Sequence, residues 1–285
     1  MQEPLVSIII TAYNREDFLK EAIESVINST YQHLEIIISD DCSKDRTVAI
    51  ATDYAEKDSR IRLYINEKNL GDYPNRNKAA SYALGEYLMW VDSDDIIFKD
   101  SIERCVQLME ENPAVNFGTY YREPADEPFI LDSATALHRH FFEKPYLMIG
   151  PGGTITRRSY FEKLGGYPEI YGPANDMYFN LKATRYSPVL MIPFEIYYIR
   201  KHPGQEINNA YGYLYNNYNY YKDAFNKLDL PIEAKSIQWL QKKNKRRFVL
   251  NIIKYFLNSR NFSRTRFALR QASFSFRDAM EGIFH

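Results

Sequence analysis

Two runs of β-branched apolar residues, Val6 to Thr11 (VSIIIT) and Leu34 to Asp40 (LEIIISD), constrain the fold more than anything else in the chain. A strand with one wet face alternates apolar and polar residues. These runs do not alternate, so both faces must be covered, as in the interior of a parallel sheet. Parallel neighbours need a crossover, and the intervening segment supplies one. From Glu16 to Asn28, Phe18, Leu19, Ala22, Ile23, Val26 and Ile27 recur at i, i+3, i+4 spacing, the pattern of an amphipathic helix lying on the sheet. The alternation then repeats. Ser43 is placed to cap a helix through Val48, Ile50, Ala51 and Tyr54, and Ile61 to Ile65 reads as a third strand. A helix over Asn77 to Leu84 leads to a strand ending at Val91, and a helix over Ser101 to Asn112 precedes a strand over Val115 to Tyr121. The pattern predicts an α/β protein with an open, mostly parallel sheet flanked by helices.

After about Arg122 the periodicity loosens, interrupted by Pro124, Pro128, Pro145, Pro151, Gly152 and Gly153. This stretch reads as loop-rich, and loops on a rigid sheet are where a pocket that sets specificity would be built. Met177 to Tyr186 resumes a helix, followed by short strands at Val189 to Ile192 and Ile196 to Ile199. Beyond Tyr211 the chain reads as helical, first the Tyr-rich segment Tyr211 to Tyr221 and then a basic segment from Lys242 to Arg277. The expected division is one domain over 1–209, its alternating half ending at about 122 and its loop-richer half running from 123, and a helical C-terminal extension over 210–285.

A formal charge of −1 gives no global reason to expect nucleic acid as a partner. The charge is unevenly spread: from Lys235 onward twelve Lys and Arg face only Asp278 and Glu281, a surplus of ten that leaves −11 for the rest. The tail has two readings. Phe248, Ile252, Ile253, Phe256 and Leu257 share a helical face behind Lys242, Lys243, Lys245, Arg246 and Arg247, as in a helix lying on anionic lipid. The same face could instead pack on the catalytic domain or in a homo-oligomer. Met1-Gln2-Glu3-Pro4 lacks the features of a signal peptide and no run approaches the ~18 apolar residues of a spanning helix, so the expected location is the cytoplasm, with peripheral contact to the inner membrane face under the first reading. Cys42 and Cys105 lack metal or disulfide spacing and read as free thiols.

The chemistry is concentrated at the strand ends. Tyr87-Leu88-Met89-Trp90-Val91 runs into Asp92-Ser93-Asp94-Asp95, three carboxylates within four residues. One would suffice as a helix cap; three repel unless a cation compensates, and a hard divalent ion such as Mg2+ or Mn2+ is the natural one, with a diphosphate completing its ligands. Thr11-Ala12-Tyr13-Asn14 closes the first strand and Asp40-Asp41 the second, so both should share that rim. Tyr13 offers a face for a base, and the Asp40/Asp41 pair an acceptor for a ring N–H, although these carboxylates would also serve as plain helix caps. GxGxxG and GxxxxGK[ST] loops are absent, against a dehydrogenase or P-loop NTPase.

Together SIIITAYN, EIIISDDCSKDRT, NLGDYPNRNKAASYALGEYL, WVDSDD, ITRRSYFEKLGGY and Asn175-Asp176 resemble the inverting family 2 glycosyltransferases of bacterial type, with the GT-A fold, from about Val6 to Gly204. The resemblance implies a hexosyltransferase that moves a single sugar from a nucleotide-diphosphate sugar, UDP-sugar favoured, to a hydroxyl of a glycan or lipid-linked acceptor in cell-surface polysaccharide synthesis. By that resemblance Thr11, Ala12, Tyr13, Asn14 and Asp41 hold the nucleotide with Asp40 beside them, Arg76 lies near ribose and phosphates, and Asp92, Ser93 and Asp94 form the DXD motif. Asp94, Asp92 and His202 are then the metal-site residues for Mn2+ or Mg2+, and Asp176 the catalytic base; the domain over 1–209 would be catalytic, with its nucleotide-binding half to about 122 and its acceptor-binding half from 123. Cys42 stands where Gly is frequent and Asn175 where Glu or Asp is; the processive QxxRW motif is missing. Competing readings are a sugar-1-phosphate nucleotidyltransferase, which would normally carry a Gly-rich loop where Ala12 to Glu16 stands, and a non-catalytic sugar-nucleotide-binding protein. Arg200 and Lys201 read either as positive potential near the diphosphate or as a solvated strand end.

Overall fold

The computed structural model describes residues 3–202, 205 and 209–284; Gly204, the expected end of the family resemblance, lies outside them. The first half alternates as the apolar runs require: β1 (Val6–Ala12), α1 (Leu19–Ile27), β2 (Leu34–Asp40), α2 (Thr47–Lys57), β3 (Ile61–Ile65), α3 (Asp72–Ala80) and β4 (Tyr87–Asp92). Every residue of β1 and β2 is buried, as unbroken apolar runs demand. A two-residue β5 (Ile96–Ile97) and α4 (Ser101–Glu111) follow, then β6 (Phe117–Tyr120), β7 (Phe129–Leu131), α5 (Ser133–Phe142), β8 (Thr154–Arg157), α6 (Arg158–Lys163), α7 (Asn175–Tyr186), β9 (Val189–Ile192) and β10 (Tyr197–Tyr198). The C-terminal part is helical: α8 (Ala210–Lys227), α9 (Ala234–Ser259), α10 (Phe262–Gln271) and α11 (Phe276–Ile283).

One sheet runs in the order β3-β2-β1-β4-β8-β6-β9-β7. Its first four strands are parallel, β8 is antiparallel to both β4 and β6, and β7 is antiparallel to β9. This is the mostly parallel, helix-flanked sheet that the unbroken apolar runs predict. A second, two-stranded sheet pairs β5 with β10. The core lies in two layers. Ile8, Ile10, Ile36, Ile38, Met89 and Val91 pack on one face of the sheet with α1 and α4; Ile9, Ile37, Leu88 and Trp90 pack on the other with α5, α7 and α8.

Two expectations change. The helix placed over Asn77 to Leu84 is α3, beginning at Asp72; Pro74 falls in its first turn, where its missing N–H costs nothing. The stretch after Arg122 is more ordered than its prolines suggest. It holds edge strand β7 and the helix α5, whose cap Asp132 accepts the Thr135 N–H at 3.0 Å and whose buried face is Ala136, Leu137, His140 and Phe141.

Candidate active site

Parallel register brings the polar strand ends abreast. In the ladder Ala12 stands opposite Asp40, and Thr11 opposite Asp92, so the Thr11 to Asn14, Asp40-Asp41 and Asp92 to Asp95 segments share the carboxyl rim of three adjacent strands. The small sheet brings in a fourth segment. Pairing of Tyr197 with Ile97 lays the residues after β10 against the acidic loop, where the Arg200 N–H donates to Asp95 Oδ1 at 3.1 Å and His202 Nε2 lies 2.9 Å from Asp94 Oδ2. His202 is held there by stacking on Phe18, centroids 4.6 Å apart.

The carboxylates divide by partner. Asp94 is bracketed by Arg15 and His202, with Arg15 Nε at 3.3 Å from the oxygen that His202 approaches. Asp92 pairs with Arg76, whose Nη2 is 2.6 Å from Asp92 Oδ1 and whose Nε reaches Asp72 at 2.8 Å. Burial nevertheless pushes the Asp92 carboxyl upward, against the pull of Arg76. Asp95 is pushed up to about 7 by burial and by the charges of Asp92 and Asp94. Arg76 is buried between the Tyr73 and Trp90 rings, and among the described residues its Nη1 has no hydrogen-bond partner. A buried guanidinium donor beside an acidic rim is a ready contact for a phosphate oxygen.

The second strand end is tied more tightly. Asp40 accepts from both the N–H and the hydroxyl of Ser43 and so closes its own turn; neither it nor Ser43 caps α2, which begins at Thr47 behind Arg46. Asp41 accepts from Asn66 Nδ2 (2.9 Å), the Leu70 N–H (2.8 Å) and the Gly71 N–H (2.9 Å). Gly71 has φ of 91°, a left-handed backbone suited to glycine, which turns that N–H toward Asp41. A carboxylate has about four acceptor positions, so Asp41 retains about one for a base N–H. Asn14, at φ of 52°, joins the first two strand ends: its N–H donates to Ser43 Oγ and its Oδ1 accepts the Lys44 N–H, both at 2.8 Å. Tyr13 stays open, 44% exposed, and Ser93 is buried inside the acidic loop.

Asp176 enters from the first turn of α7. It is buried, accepts the Met177 N–H at 2.7 Å, and lies near Tyr73 and Arg76. Burial is the main cause that pushes its carboxyl up to about 7. Asn175, where the family often has an acid, pins a loop instead, its amide taking the Tyr171 N–H (2.9 Å) and donating to the Gly172 carbonyl (2.6 Å). Arg76 links the two regions, bonded to Asp92 and close enough to bear on Asp176.

Among the described residues no three His, Cys, Asp or Glu side chains form a metal-ligand cluster. Asp94 and His202 form a carboxylate–imidazole pair, and Asp92 points to Arg76 rather than joining them. Such a pair fits an ion whose remaining ligands are diphosphate and water. Arg200, read from sequence as potential near the diphosphate, reaches Glu21 at 3.0 Å and lies over the Phe18 ring. Arg15 is the residue sequence reasoning passed over; its signal was position, one step beyond Asn14 on the shared rim.

The glycosyl transferase family 2 model matches residues 7–165. The chain belongs to that family. One relative, the putative teichuronic acid biosynthesis glycosyltransferase TuaG of Bacillus subtilis, is 40% identical over 119 residues, 41% of this chain and 47% of TuaG. The match thus spans about half of that relative. TarS 1-349 of S. aureus in complex with UDP superposes with a TM-score of 0.70 at 19% identity, covering 98% of this chain and 80% of TarS 1-349. Mannosyltransferase PcManGT of Pyrobaculum calidifontis, in complex with GDP-Man and Mn2+, gives 0.67 at 17%, covering 98% and 78%. At those identities the two structures speak for the fold. Family membership sets aside the nucleotidyltransferase reading.

Proposed function

We propose that this family 2 member transfers a single sugar, with inversion, from a nucleotide-diphosphate sugar to an acceptor hydroxyl on a glycan or lipid-linked saccharide. The observation that carries the reading is Asp176: a buried carboxyl pushed up to about 7 is a base poised for work near neutral pH. It takes the proton from the acceptor hydroxyl as that oxygen bonds to the anomeric carbon, and the bond to the diphosphate breaks with its electron pair leaving on the phosphate oxygen. Arg76, with its spare buried Nη1, and Arg15 supply fixed positive charge for the leaving group. Asp94 and His202 would hold Mn2+ or Mg2+, which when bound stabilises negative charge on the diphosphate. Tyr13 offers its exposed ring to the base and Asp41 its remaining acceptor position. The UDP complex of TarS favours a UDP donor, the GDP-Man complex of PcManGT makes GDP the comparison, and TuaG supports a role in polysaccharide synthesis.

The test is the Asp176→Asn variant, assayed for sugar transfer and, separately, for donor binding by calorimetry. Binding should persist while transfer falls by about 10²–10⁴-fold, the usual weight of a general base. Near-normal turnover by the variant removes Asp176 from the role.

A further inference from the structure

Helix α11 is oriented in reverse for a surface helix. Its polar side faces the protein, where Lys245 of α9 reaches Asp278 at 2.8 Å and Glu281 at 2.5 Å. Gly282 approaches α9 so closely that a Cβ there would lie 2.9 Å from the Arg246 backbone nitrogen. Its apolar side, Phe276, Met280 and Ile283 at i, i+4 and i+7, is turned out, 81%, 41% and 53% exposed. Amphipathic surface helices normally do the opposite. On α9, Arg246, Leu250, Ile253 and Leu257 follow at helical spacing along one stripe and are likewise exposed. The apolar face expected from sequence is divided: Phe248 and Ile252 turn inward against Tyr218, Ala268 and Ala272, while Ile253 and Leu257 stay outside.

Charge decides what covers this face. Lys242, Arg246, Lys254 and Arg260 are exposed on α9 and at its end, while Arg277 of α11 pairs with Glu281 at 2.9 Å. The only two acids from Lys235 onward, Asp278 and Glu281, are both engaged by Lys245. A second copy docking through the same patch would bring two cationic surfaces together. A nucleic acid would satisfy the cations but leave Leu250, Ile253 and Leu257 without apolar cover. An anionic bilayer satisfies both, taking the apolar side chains at the acyl boundary and the cations among the headgroups. We infer that α9 and α11 form a docking face for anionic phospholipid membrane. It uses none of the residues that the sugar-transfer reading uses.

Sedimentation of the full chain with vesicles tests this. The chain should pellet with phosphatidylcholine–phosphatidylglycerol vesicles, stay in solution with phosphatidylcholine alone, and be released by salt. The variant Phe276→Ser/Met280→Ser/Ile283→Ser should lose pelleting, and Lys242→Gln/Arg246→Gln/Lys254→Gln should lower partitioning about a hundredfold, taking the usual weight of each surface cation. Both variants alter exposed side chains and should melt as wild type by circular dichroism. Wild-type chain that ignores the anionic vesicles, or variants that pellet as wild type, overturn the inference. A dimer that the Phe276 triple variant converts to monomer also overturns it, assigning the face to a second copy.

Discussion

Asp176 costs the protein stability when it is ionised. An ordinary aspartate ionises near 4 in the unfolded chain, whereas burial holds this one to about 7 in the folded state. Between those values the folded protein keeps a proton that the unfolded chain has shed, so stability falls as pH rises through the window. Asp95, pushed to about 7 by burial and its acidic neighbours, acts with the same sign. Asp176→Asn removes one of the two charges. Its stability relative to wild type, from urea unfolding, should therefore increase from pH 5 to pH 8, by up to ~2.6 kcal/mol; a flat difference contradicts a buried, ionising Asp176. The rate of transfer should move oppositely, rising with pH and levelling above about 7 as the base loses its proton. At this scale the sequence revealed the residue types but not their duties. Asp40 and Asp41 are adjacent and chemically identical, yet one closes its own turn on Ser43 and the other gathers a distant loop at Asn66, Leu70 and Gly71. Nothing in a dipeptide encodes which partners the fold will bring.

Among the elements, those buried on one or two uniform faces were legible and those that serve the site were not. β2 and β3 run over the residues their apolar runs predict. α3 was displaced because its inward side is polar: Asn75 and Arg76 are buried toward Ser39 and Asp92, so apolar periodicity, which normally marks the buried face, starts too late. For α5 the sequence did contain the signal. No proline lies between Pro128 and Pro145, Asp132 is a good cap, and Ala136, Leu137, His140 and Phe141 form one face; the flanking prolines bound the helix rather than forbid it. Removing the cap should then matter. Asp132→Ala leaves the Thr135 N–H without its side-chain acceptor and should cost about 1 kcal/mol in urea unfolding. No change in midpoint would mean that packing on α7 alone holds α5.

Across the whole molecule, the direction of a strand is what sequence conceals. The parallel half follows from unbroken apolar runs joined by crossovers, but β8 has four residues, and nothing in Thr154 to Arg157 says that it runs against β4 and β6. The reversal matters because the segment just before β8 lies beside Asp176: a Cβ on Gly150 would sit 3.9 Å from its carboxylate. The polar groups on three parallel strand ends and the Asp176 carboxyl on α7 thus belong to one rim, held by two core layers that share the sheet. A ligand bridging that rim should stabilise the fold as a whole. At ~100 times its dissociation constant a ligand adds ~2.7 kcal/mol, which for a chain of this size raises the melting temperature by roughly 5 °C. UDP with Mn2+ should give that shift, GDP less, and chelation of the metal should reduce it. Asp94→Ala should bind UDP with no further gain from Mn2+, because it removes the carboxylate that His202 approaches. An Asp94→Ala protein that still gains from Mn2+ as wild type does would place the ion away from Asp94.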